Sequence, residues 1–136
     1  MPIKIFMYLT WTEVLVKEIV IYIISEDLPK VTNILHKHNA GGMVFYEVNG
    51  RGRIERDQMP EMVRSYMTGR KVTPEFAKRT KIETVVTDSA AKDIIGEITD
   101  SLGSESDPRG MIFIKDVSSA YEIGTKKSGD MVLTPR

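Results

Sequence analysis

Two stretches of the chain carry nearly the same pattern of apolar and polar positions. Glu18–Ile24 (EIVIYII) and Met43–Val48 (MVFYEV) are apolar runs separated by an amphipathic stretch. Lys81–Val86 (KIETVV) and Gly110–Val117 (GMIFIKDV) repeat the arrangement around a second amphipathic stretch. Each copy reads strand, helix, strand at about the length of one βαβ unit. Two copies in tandem predict an α+β, ferredoxin-like fold, a four-stranded sheet with two helices on one face.

The helical stretches have clear periods. From about Asp27 to His38, Val31, Ile34, Leu35 and His38 recur at i, i+3, i+4 and i+7, one buried stripe. Ser25, Glu26 and Asp27 form the cap region, Pro29 suits a first turn, and Gly41-Gly42 marks the stop. In the following strand Val44 and Tyr46 alternate with Phe45 and Glu47, which predicts one face buried more deeply. The second helix is capped by Asp88 or Ser89, carries the stripe Ala91, Ile94, Ile95, Ile98 and Leu102, and stops at Gly103. The tail with Lys126-Lys127-Ser128-Gly129 is expected to be mobile unless a partner chain holds it.

The insertion between the copies, about Arg51 to Lys78, is too long for a plain connection, so it is expected to carry function. It holds Arg51, Arg53, Arg56, Arg64, Arg70, Lys71 and Lys78 against Glu55, Asp57, Glu61 and Glu75. Met59, Met62, Val63, Tyr66 and Met67 suit one helical turn or two. The stretch otherwise reads as a flexible, basic docking arm that orders on binding. Residues 1–16 are apolar but interrupted by Glu13, too short to span a bilayer, and followed by no small-residue cleavage site. They read as an N-terminal extension before a domain of residues 17–136: an added strand, an interface segment, or a start-site artefact with Val16 as the true first codon.

Composition narrows the function. At 136 residues the chain is one domain with a modest core. Lysine plus arginine and aspartate plus glutamate balance at 19 each, which removes a whole-chain footprint for nucleic acid and gives no sign of membrane insertion. Without cysteine there is no disulfide, thiolate metal site or thiol nucleophile. His36 and His38 are two apart on a helix and do not share a face, so no metal site is expected. The expected location is cytoplasmic.

Two helices leave one sheet face uncovered, and in so apolar a chain that face is expected to be covered by other copies, with ligand clefts between subunits. Two loops suit an anion. Gly50-Arg51-Gly52-Arg53 joins glycines to guanidinium groups, and Ser104–Gly110 offers hydroxyls, N–H groups and Arg109; both also read simply as connectors. A Walker-type phosphate loop and a GxGxxG run are absent. No serine or threonine has a recognisable histidine base, so no catalytic residues are assigned and the chain is not read as an enzyme. Glu83 stands out within an apolar strand, where a buried carboxylate needs a partner from Arg79, Arg109 or the backbone beside Met111.

In order, these elements resemble the PII family of nitrogen-regulatory signal proteins. The family pattern G-M-T-x-x-x-V-x-G-x-G-R is matched by Gly42-Met43-Val44-Phe45-Tyr46-Glu47-Val48-Asn49-Gly50-Arg51-Gly52-Arg53. Its K-I-E-x-V-V is Lys81-Ile82-Glu83-Thr84-Val85-Val86, and its G-K-I-F-V-x-x-V is Gly110-Met111-Ile112-Phe113-Ile114-Lys115-Asp116-Val117. The resemblance implies a homotrimer with three lateral clefts, where ATP and ADP compete, often with 2-oxoglutarate and magnesium. It implies a T-loop at about 51–78 that docks onto an ammonium transporter or a nitrogen-metabolism enzyme. By the match, Gly50, Gly52 and Arg53 lie at the T-loop base, Arg79 is the basic residue after it, and Val85 sits beside the adenine. Glu83, Arg109 and Gly110 complete the implied ligand set.

Three departures bear on the ligand. Met111 stands for the lysine of G-K-I-F, and Glu122 and Gly124 stand for both arginines of the closing R-x-R-T-G turn. Those positive groups hold phosphates in the family; each is worth on the order of 1.5–3 kcal/mol as a charged hydrogen bond. Arg109, Lys126 and Lys127 are the available replacements. The pattern therefore fits a relative that binds AMP, ADP or another anion, or a scaffold of the same fold without ATP sensing. Tyr66, the T-loop's one tyrosine, lies in Arg64-Ser65-Tyr66-Met67, which is not a family-like modification context.

Overall fold

The computed structural model describes residues 16–52, 63–64, 71–72, 76–104 and 110–135. In chain order the elements are β1 (Val16–Ile23), a 3-10 turn (Ser25–Asp27), α1 (Leu28–Lys37) and β2 (Met43–Gly50). Next come β3 (Val63–Arg64), β4 (Lys71–Val72), β5 (Ala77–Thr87), α2 (Asp88–Leu102), β6 (Met111–Asp116) and a closing 3-10 turn (Asp130–Val132). The main sheet has the order β2-β5-β1-β6, and every neighbouring pair is antiparallel. Strands of one βαβ copy are thus parallel to each other with a strand of the other copy between them. This is the ferredoxin-like arrangement that the tandem pattern predicts.

Alternation sets the two faces. Ile19, Ile21 and Ile23 of β1 and Ile82 and Val86 of β5 form one core with Val31, Ile34 and Leu35 of α1 and Ala91, Ile94 and Ile98 of α2. Ile19, Ile82 and Ile94 are wholly buried; each such side chain contributes roughly 1.5–3 kcal/mol through loss of apolar surface from water. The opposite face of the sheet carries no helix among the described residues. It presents Val20 and Tyr22 of β1, Val44 and Tyr46 of β2, Arg79, Lys81, Glu83 and Val85 of β5, and Met111 and Phe113 of β6.

Several expectations need correction. In β2 burial does not alternate: Val44, Phe45 and Tyr46 are all exposed, because β2 is an edge strand lying beyond the helices' cover. α1 ends at Lys37, and the reversal is made by Asn39 at φ 60°, with Asn39 N–H donating to the His36 carbonyl and Ala40 N–H to that of Leu35. That closure uses an asparagine in the left-handed region, so Gly41-Gly42 is not the stop. Thr87 caps α2, its hydroxyl accepting from Ala90 N–H, in place of Asp88 or Ser89. Val63–Arg64 pairs with Lys71–Val72 as a short ribbon, so Val63 belongs to a strand and not to a helical turn. The connection from β2 to β5 covers 51–76, since Ala77 already pairs with Gly50. The tail is folded onto its own chain: Tyr121 bridges Ser128, and Gly41 N–H donates to the Leu133 carbonyl at 2.9 Å. Residues 1–15, Met59, Met62, Tyr66 and Met67 lie outside the described residues.

Candidate functional site

A broad cleft of about 500 Å³ opens at one end of the open sheet face. Its lining comes from three pieces of chain: Glu18 of β1 and Glu83, Thr84 and Val85 of β5, then Gly42, Met43 and Val44 where β2 begins, and Val132 and Leu133 of the closing turn. Register explains the first two, because Glu18 lies opposite Val85 and Val44 opposite Glu83. Thr84, buried on the helix side, donates its hydroxyl to the Gly42 carbonyl at 2.6 Å and fixes the entry to β2. Gly41 fixes the third piece. A Cβ there would lie 2.4 Å from the Leu133 carbonyl oxygen, so only glycine lets the closing turn approach.

The chemistry of the cleft is that of an apolar slot with two acids. Glu83 accepts from the Tyr46 phenol at 2.8 Å and from the Lys81 ammonium at 3.2 Å, both at Oε1. The Tyr46 phenol, then Lys81, hold its carboxyl below the usual carboxylate range. Tyr46 and Glu83 in turn raise the Lys81 ammonium above the ordinary lysine range. Lys81 also lies over the rings of Tyr22 and Tyr46, 5.6 and 5.5 Å from their centroids, and Tyr22 meets Phe113 edge-on at 6.1 Å. Glu18 faces Lys115 at 3.9 Å.

The structure divides the predicted ligand set. Glu83 and Val85 come together in the cleft. Arg79 shares their face, with its guanidinium donating to the Lys78 carbonyl, but lies about 20 Å from Val85 at the rise of a strand. Gly50 ends β2 opposite Ala77, and Gly52 follows it, both near that far end; a Cβ on either would meet nothing among the described residues. Gly110 is also remote from the cleft and closely packed: a Cβ there would lie 2.0 Å from the Tyr22 carbonyl oxygen. Arg53 and Arg109 lie outside the described residues. Glu83 takes neither Arg79 nor the backbone near Met111 as its partner; Tyr46 and Lys81 pair with it across and along the sheet, in half-exposed surroundings. The period-two pattern held that signal, since Tyr46 and Lys81 share a face and adjacent strands with Glu83. Nothing in the sequence marked Val132 or Leu133 as cleft walls.

Two of the positions singled out as departures in the sequence, Met111 and Glu122, are also visible. Met111 is half-exposed on the open face, and Glu122 accepts from the Thr125 hydroxyl at 2.6 Å within the turn closed by Tyr121 and Ser128. No cluster of three metal-binding side chains occurs among the described residues. Among them, no helix is long and apolar enough to cross a membrane.

Comparison with known proteins sets these features in a family. The family model described as "Nitrogen regulatory protein P-II" matches residues 16–127. Nitrogen regulatory protein GlnK2 of Haloferax mediterranei is 28% identical over 114 residues, covering 84% of this chain and 88% of that protein. Among solved structures, GlnK of B. subtilis superposes with a TM-score of 0.64 at 20% identity, over 88% of this chain and 99% of that one. The ATP complex of B. subtilis GlnK gives the same score and identity over 88% and 98%. The register of the sheet, the four-strand order and a family match over nearly all of the chain after residue 15 lead to one conclusion: this chain belongs to the P-II family of nitrogen regulatory proteins.

Proposed function

We infer that the chain is a nitrogen-regulatory signal protein that binds an adenine nucleotide at its cleft, assembles as a homotrimer, and acts on a target through the loop of residues 51–76. The single observation that carries the nucleotide reading is the convergence of Gly42–Val44, Glu83 and Val85 on one slot of about 500 Å³, the size class of a small-molecule site. The ATP complex of B. subtilis GlnK supports it as a precedent within the fold. The apolar open face, with Val44, Met111 and Phe113 each about half exposed, supports burial against further copies. The target is an ammonium transporter or a nitrogen-metabolism enzyme.

The replaced cations favour a ligand with fewer phosphates. Met111, Glu122 and Gly124 withhold three positive groups, so AMP or ADP suits the site better than ATP. Magnesium belongs to this reading as an ion carried by the nucleotide phosphates, since no cluster of three carboxylates or histidines occurs among the described residues. 2-Oxoglutarate, as a second effector, belongs to the same reading. Calorimetric titration with ATP, ADP, AMP and cyclic AMP, with and without 2-oxoglutarate, tests it. The expected result is saturable binding of ADP or AMP with ATP no tighter. Absence of heat for all four nucleotides favours the second reading, a scaffold of the same fold that works by constitutive contact.

A further inference from the structure

Glu83 lines the cleft, yet its geometry is set by two side chains that do not. Tyr46, on the neighbouring strand β2, donates its phenol to Oε1 at 2.8 Å, and Lys81, two residues earlier on β5, reaches the same oxygen at 3.2 Å. Oε2 receives no hydrogen bond from the described residues. Lys81 is itself pinned between the rings of Tyr22 and Tyr46. The carboxylate is therefore anchored from one side and left open on the other. We propose that Tyr46 and Lys81 are positioning residues that fix Glu83 as an oriented acceptor, so that the cleft selects a ligand carrying a neutral hydrogen-bond donor, a hydroxyl or amino group, at this point. This rests on the nucleotide reading of the cleft.

The surroundings agree. Glu18 and Glu83 both line the slot, so two carboxylates exclude an anionic group from its floor and welcome a donor. The charged and titratable groups around Glu83 are Tyr46 from β2, Lys81 from its own strand, Glu18 and Tyr22 from β1, and Lys115 from β6. The depressed carboxyl keeps the acceptor ionised well into acid, because the Tyr46 and Lys81 contacts outweigh the cost of partial burial. A rotating, half-protonated glutamate in the same place would present a donor as often as an acceptor.

Tyr46→Phe is the test, since it removes one hydroxyl and keeps the ring beneath Lys81. Carbon-13 carboxyl titration of the ligand-free full chain follows Glu83 directly, and AMP and ADP affinities are measured from pH 7.5 to pH 4. The expected result is a Glu83 midpoint that rises toward the ordinary glutamate value, with affinity at pH 4 falling about threefold more than in the parent protein. Against a Glu83→Gln background the same change should have no effect on affinity. If Tyr46→Phe fails to assemble, Lys81→Gln takes its place, with the same upward movement of the midpoint. An unchanged midpoint and pH profile, in a parent protein that binds nucleotide, overturns the proposal alone. A parent protein that binds neither nucleotide overturns the nucleotide reading and the ligand role of Glu83 with it.

Discussion

Glu97 of α2 faces Lys37 and His38 at the end of α1, and the Lys37 ammonium, with a smaller contribution from His38, holds its carboxyl below the ordinary value of 4.5. A carboxylate depressed in the folded state stabilises the fold above its unfolded value, and that contribution disappears as pH falls through the lower folded value. Lys37→Met should therefore lower stability slightly at pH 7, slightly because the pair is largely exposed, and its difference from the parent should vanish as pH falls toward 2, read by denaturant unfolding followed by circular dichroism at each pH. A difference that persists unchanged at pH 2, or no difference at pH 7, would deny the pairing. Gly110 tests a different physics. Its replacement by alanine forces an atom to 2.0 Å from the Tyr22 carbonyl, a backbone clash expected to cost about 1–3 kcal/mol in chemical denaturation. The residue drew attention as a ligand group through its motif, whereas the structure gives it a packing reason. Motifs mark positions under constraint without saying which constraint. Alternation places Glu83 and Val85 on one face of β5, whereas the rest of the cleft wall comes from Gly42–Val44 and from Val132 and Leu133.

At the scale of elements, the strands and helices were legible wherever one face meets the core. The period of α2 fell on Ala91, Ile94 and Ile98 because those side chains are buried against β1 and β5. The reading failed at edges and ends, where no core enforces a period: β2 is exposed on both faces, and the stop of α1 moved from a glycine pair to Asn39. The closing turn was illegible for another reason. Leu133, which closes the Asp130–Val132 turn, accepts a long-range backbone bond from Gly41, and backbone bonds leave little trace in side-chain pattern. That bond yields a prediction. Gly41→Ala places a Cβ 2.4 Å from the Leu133 oxygen, so the turn must withdraw and the cleft loses Val132 and Leu133 from its wall. The variant should melt several degrees lower, for a loss of about 1 kcal/mol, and bind nucleotide more weakly. Unchanged affinity beside a lowered melting temperature would remove the turn from the site.

For the whole molecule, the helices cover one side of a four-stranded sheet and the described residues leave the other bare. Light scattering across micromolar concentrations should give three chains per particle; a stable monomer would contradict the trimer outright. The bare side has one further implication, and it concerns time and concentration more than shape. β2 pairs on one side only among the described residues, and it displays Val44, Phe45 and Tyr46 beside an unpaired row of backbone groups. A freshly folded single chain is thus adhesive along the same strand that the assembled protein is expected to shelter. Recovery from denaturant then becomes a race between ordered association and indiscriminate strand addition, both of which quicken with crowding of the chains. Refolding yield should pass through a maximum as chain concentration rises, and a strand-blocking lysine at Val44 should suppress the precipitate and the correct assembly together.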